Sequence, residues 1–95
     1  MNQLHQTIKN YFIGKPVKKA YLFGSSARGE ETDTSDIDLL IELDYLNGAN
    51  YFLFFDMQVE LSKLLNKKVD LVSANGLSRF IKPIIDSEKV LIYEG

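Results

Sequence analysis

The spacing of hydrophobic positions changes several times along the chain, and each change predicts an element. Leu4, Ile8, Tyr11 and Phe12 recur at helical intervals, and Gly14 followed by Pro16 stops the pattern, so a helix is predicted near residues 2 to 13. Val17 to Phe23 favours a strand that ends abruptly at Gly24-Ser25-Ser26, a tight-turn signal. A polar segment, Arg28 to Ser35, follows. Residues 36 to 43 then alternate: Ile37, Leu39, Ile41 and Leu43 point one way, and Asp36, Asp38, Leu40 and Glu42 the other. This predicts a strand with one core face and one partly polar face.

Asn47-Gly48-Ala49-Asn50 reads as a loop ending in an Asn cap. Beyond it Phe54, Met57, Leu61, Leu64 and Leu65 trace a helical stripe, with Asp56, Glu60 and Lys63 on the wet side. Lys68 to Val72 predicts a short strand that carries Asp70 and ends at Asn75-Gly76. Leu77 to Ser87 is helical in pattern, but Pro83 removes a backbone donor and disfavours a helical Lys82, so a kink or two short helices are expected there. Val90 to Tyr93 adds an edge strand. The order of elements predicts an α/β (α+β) fold, a small mixed β-sheet with helices packed on it.

Composition narrows this picture. The chain has 95 residues and 45% hydrophobic content, with no internal repeat or linker-like tract, which predicts one domain over residues 1–95. Absence of cysteine excludes disulfides, thiolate metal sites and thiol nucleophiles, so any metal must be held by oxygen. With 11 basic and 13 acidic residues and a net charge of −2, the chain has no broad footprint for nucleic acid. The longest apolar runs fall far short of the roughly 20 residues that span a bilayer. No leader-like segment opens the chain, so a soluble, cytoplasmic protein without a membrane partner is expected.

The chemistry gathers on the acidic residues. Asp36 and Asp38 lie two apart in a strand, so their carboxylates leave the same side, about 6 to 7 Å apart along the backbone. Like charges at that spacing repel unless neutralised, and Mg²⁺ suits them: it takes one or two protein carboxylates and completes its shell with waters and phosphates. Asp70 interrupts an apolar run in another strand, and adjacency of the two strands would make it a third ligand. A pair of ions about 3.5 to 4 Å apart would then activate a hydroxyl and stabilise the leaving phosphate oxygens. The turn Phe23-Gly24-Ser25-Ser26-Ala27-Arg28-Gly29 supplies the other half. Gly24 lets backbone approach phosphate, the N–H groups after it form an anion cup, Ser25 adds a hydroxyl donor, and Arg28 offers a bidentate phosphate contact.

Gly24-Ser25, ten intervening residues and Asp36-Ile37-Asp38 resemble the signature of the DNA polymerase β-like nucleotidyltransferase superfamily. Ser25-Ser26-Ala27-Arg28-Gly29-Glu30 with Ser35-Asp36-Ile37-Asp38-Leu39 is similar to its minimal branch, and the likeness spans nearly the whole chain. Four fixed residues at fixed spacing arise by chance in a chain of this length less than roughly once in a thousand. The resemblance implies a nucleotidyltransferase fold and transfer of a nucleoside monophosphate, commonly AMP from ATP, to an acceptor hydroxyl with release of pyrophosphate. It implies Asp36 and Asp38 as ligands of Mg²⁺, and Asp70 as a ligand that also helps deprotonate the acceptor. Minimal members are frequently antitoxins of type VII toxin-antitoxin systems that add AMP to a tyrosine of a HEPN-type toxin, so a HEPN partner is implied too.

Each feature has a plainer alternative. Gly24-Ser25 alone is an ordinary turn, Asp36 a cap, Asp38 an exposed strand residue, and Asp70 a solvated carboxylate on an edge strand. Arg28 in a loop is commonly just solvated, and His5 has no second histidine with which to share a metal, so it faces water or serves structure. The aromatic run Tyr51 to Phe55 is either core or, in part, a partner surface. At the level of function the alternatives are a binding module that neutralises a partner by covering it, or a transferase acting on a small molecule or an RNA end. Base preference, acceptor and homo-oligomerisation stay open.

Overall fold

The computed structural model describes residues 3–24, 27 and 36–95. Ser25, Ser26 and Arg28, three of the four residues expected to hold phosphate, lie outside them. Helix α1 (Gln3–Phe12) buries Ile8 and Phe12, one turn apart, and Gly14 at φ 85° turns the chain into the first strand. Strands β1 (Val17–Phe23) and β2 (Ile37–Leu43) pair antiparallel. Helix α2 (Tyr51–Leu65) then crosses over to β3 (Val69–Ser73), which lies parallel to β2, so β2, α2 and β3 form a βαβ unit. Helix α3 (Lys82–Glu88) and β4 (Val90–Glu94) close the chain. The sheet order β3-β2-β1-β4 is mixed, with β4 antiparallel to β1 at one edge.

Strand alternation decides the core. Ile37, Leu39, Ile41 and Leu43 of β2 are buried together with Leu22, Val69 and Leu71 of the neighbouring strands and Ile8, Phe12, Met57 and Leu61 of the helices. In β1 the buried positions shift from odd to even between Val17 and Ala20. A register break between Val17 and Lys19 accounts for the shift, because one extra residue reverses which side chains face the helices. Tyr11 donates a hydrogen bond to Glu60 and ties α1 to α2.

The loop before α2 behaves as its composition predicts: the Asn50 side chain accepts a 2.9 Å hydrogen bond from the Leu53 N–H, a helix N-cap. Two expectations need correction. Leu64, expected on the apolar stripe, is 54% exposed: seven residues past Met57 it points nearly the same way, but it sits in the last turn of α2, which ends at Leu65. The segment from Leu77 is not helical up to Ile81. The only helix there starts at Lys82, with Pro83 in its first turn, where a missing N–H costs no helical bond.

Candidate functional site

Three neighbouring backbone segments meet at one end of the sheet. β1 runs out at Phe23, which pairs with Asp38, and Asp38 in turn is the parallel partner of Asp70. Residues paired across adjacent strands, about 4.8 Å apart, project from the same side of the sheet, so Asp38 and Asp70 share a face. Asp36 immediately precedes β2, whose first residue donates from the Ile37 N–H to the Lys68 carbonyl at 2.9 Å. The sequence placed these carboxylates on separate stretches; the β2–β3 register brings them side by side. β3 is an edge strand and the Asp70 side chain is 43% exposed, so part of the plainer expectation for that residue also holds.

Electrostatics report the crowding. Burial pushes the Asp38 carboxyl above its usual range, and the charges of Asp70, Asp36 and Glu88 push it the same way. The Lys68 ammonium lies between the outer two acids, 3.9 Å from Asp36 and 4.0 Å from Asp70. These distances and the exposure of all three groups make the pairs weak, but they show where a cation is attracted. Among the described residues no three acidic or histidine side chains converge closely enough to cage an ion. The donor set nevertheless suits Mg²⁺, an oxygen-seeking ion that needs only one or two carboxylates when phosphate oxygens and waters complete its shell.

Gly24 stands over this group. Its φ of 65° is left-handed, and a Cβ added there would lie 2.7 Å from Asp38 Oδ2. The left-handed turn therefore favours glycine at this position, and a Cβ there would also push the Asp38 carboxylate aside. The Gly24 N–H donates a 3.1 Å hydrogen bond to the carboxylate of Glu88, at the end of α3. Glu88 and Lys68 escaped the sequence reading. Each is a charged residue at an element end, a pattern that ordinarily signals solvent, and no local signal links either to residues far away in the chain.

The same face carries Tyr21, which hydrogen-bonds Glu42 at 3.1 Å and lies beneath the Lys89 ammonium. A cleft of about 270 Å³ lined by Lys18, Glu42, Leu43 and Tyr45 among others opens at the opposite strand ends, away from the aspartates. His5 is half-buried beside Lys9 and Leu91 rather than facing water fully. No helix among the described residues is long and apolar enough to cross a membrane.

A mixed sheet that brings strand-borne aspartates beside a glycine turn is the architecture of a nucleotidyltransferase. The chain belongs to the polymerase β nucleotidyltransferase family, which it matches over residues 6–94. It is 33% identical over 90 residues to a candidate protein adenylyltransferase of Methanocaldococcus jannaschii, covering 95% of each chain. It is 30% identical over 76 residues to the protein adenylyltransferase MntA of Thermococcus cleftensis, covering 80% of this chain and 75% of that one. Its fold is similar to a chain in the structure of a tri-AMPylated Shewanella oneidensis HEPN toxin in complex with MNT antitoxin. There the TM-score is 0.66 at 18% identity, covering 96% of this chain and 73% of that one.

Proposed function

We propose that this nucleotidyltransferase moves AMP from ATP to a hydroxyl of a partner protein, a tyrosine of a HEPN-type toxin, and acts as the antitoxin of that pair. The observation that carries the reading is the register of Asp38 with Asp70 beside the Gly24 turn, which sets an acid pair against a close approach of backbone. The names of the M. jannaschii and T. cleftensis relatives support the adenylyl group, and the AMPylated toxin complex supports the HEPN acceptor.

In this reading Asp36, Asp38 and Asp70 would hold two Mg²⁺ ions, which would supply charge neutralisation for the triphosphate and a lowered pKa for the attacking hydroxyl. Gly24 brings the backbone close to the phosphates, and the following residues Ser25, Ser26 and Arg28 cradle them through backbone N–H groups, hydroxyls and a guanidinium. Asp70, in register with Asp38 and 43% exposed, accepts the acceptor's proton as the hydroxyl attacks the α-phosphorus and pyrophosphate leaves.

Incubation with Mg²⁺, α-labelled ATP and a HEPN toxin encoded beside this chain tests the proposal. Label is expected on the toxin, and Asp38→Asn should reduce it on the order of a thousandfold. Absence of transfer with every nucleotide and acceptor would overturn the reading.

One observation favours a second reading. Tyr51, Phe52 and Phe55 open α2 with exposures of 79%, 83% and 61%, so the expectation of a core role fails for these three while Leu53 and Phe54 pack on the core. Such a patch suits a module that neutralises its partner by covering it. An Asp38→Asn chain that protects cells from the toxin as well as wild type does would favour this alternative.

A further inference from the structure

We infer that Glu88 is a positioning residue for nucleotide binding: from the end of α3 its carboxylate holds the Gly24 N–H and so sets the turn that receives the triphosphate. This rests on the nucleotidyl-transfer reading of the site. The turn faces a geometric conflict. Gly24 is left-handed and lies so close to Asp38 that a Cβ would meet its Oδ2 at 2.7 Å, and its position decides how near the backbone comes to phosphate. The Asp38 carboxylate repels neither an N–H nor a cation, but offers no bond to the Gly24 N–H among those described; the acceptor that N–H uses is Glu88, at 3.1 Å and 64 residues away in sequence. A hydrogen bond from backbone N–H to an ionised carboxylate is stronger than one between neutral groups.

The element that delivers Glu88 is itself anchored. Ile85, three residues earlier, is 5% exposed. Asp86 is bridged by Lys82 at 2.7 Å and Lys89 at 2.8 Å, and the Lys89 ammonium lies 4.4 Å from the centre of the Tyr21 ring in β1. Residues on both sides of Glu88 are therefore held, one in a buried position and the other over the strand that leads into Gly24. That arrangement links the closing segment of the chain to the turn at the end of β1.

Two variants of the full chain test this. Amide hydrogen exchange followed by NMR reads the Gly24 N–H directly, and titration with ATP and Mg²⁺ reads affinity. Glu88→Ala is expected to speed Gly24 exchange and to weaken ATP binding about tenfold, seen as a raised KM with a smaller change in kcat. Glu88→Gln, whose amide oxygen accepts the same N–H, is expected to recover most of both. Unchanged Gly24 exchange in Glu88→Ala, tighter ATP binding, or an equal loss of kcat in both variants would overturn the inference, the last because it assigns Glu88 a role through its charge. Failure of the wild-type chain to bind ATP would instead strike the proposed function, and the exchange measurement would then decide by itself whether Glu88 holds the turn.

Discussion

The two faces of β2 are built from alternate residues of one seven-residue strand and obey opposite rules. On the helix-covered face Ile37, Leu39 and Ile41 are fully buried in a purely apolar layer. On the other face Asp38 and Glu42 flank Leu40, and Asp38 is half-buried against two further aspartates and Glu88. Burial stabilises the first face. On the second, burial of like charges works against stability, a tension that the proposed function explains. The contrast teaches that one residue of register separates the groups that hold this fold together from the groups to which the proposed function assigns the chemistry.

Placing the same amide side chain on each face breaks the comparison most sharply. Leu39→Asn buries an unsatisfied amide in the core and should cost about 4 kcal/mol or more, enough to unfold much of the population in urea titrations. Asp38→Asn, one residue away, should leave the fold intact. If Leu39→Asn proved as stable as Asp38→Asn, the assignment of the faces would be wrong.

Gly24→Ala sharpens the acidic side. The left-handed backbone costs about 1–2 kcal/mol with a Cβ. The added carbon also meets Asp38 Oδ2 at 2.7 Å, so the carboxylate must swing aside or the turn must move. Nucleotidyl transfer is expected to fall about a hundredfold, since displacement by an ångström near reacting groups has that scale. Thermal unfolding and transfer assays on the same preparation separate the two effects.

The smallest effect concerns pH. Burial first, then Asp70, Asp36 and Glu88, raise the Asp38 pKa in the folded chain. The folded state therefore holds this proton more tightly than the unfolded chain does. Stability is lost as pH rises from the ordinary carboxylate range through the raised value, and Asp38→Asn lacks that loss. With a chelator present, Asp38→Asn should be slightly more stable than wild type at neutral pH, and the gap should close in acid. A gap that widens in acid would reverse the sign assigned to the crowding.

Much of this was legible in the sequence because it depends on local periodicity. The limits of β1, the alternation of β2, the Asn50 cap and the glycine turn all follow from neighbours within a few residues. Leu64 and the start of α3 were misread for the converse reason. How far along a helix its apolar face stays covered, and where a proline-bearing helix begins, depend on what lies opposite. Tyr51, Phe52 and Phe55 make the same point, since an aromatic-rich helix start carries no local sign of which rings meet the sheet.

By itself the sequence determined that Asp38 lies on the polar side of a strand, with Asp36 just before its start and a glycine turn earlier in the chain, because side-chain direction in a strand has a fixed period of two. Only the tertiary structure decided that Asp70 stands in register with Asp38, that Lys68 lies between the outer acids, and that Glu88 reaches Gly24. Those neighbours are set by which distant strands bury their apolar faces together, a choice that belongs to the whole core and to no short stretch of chain.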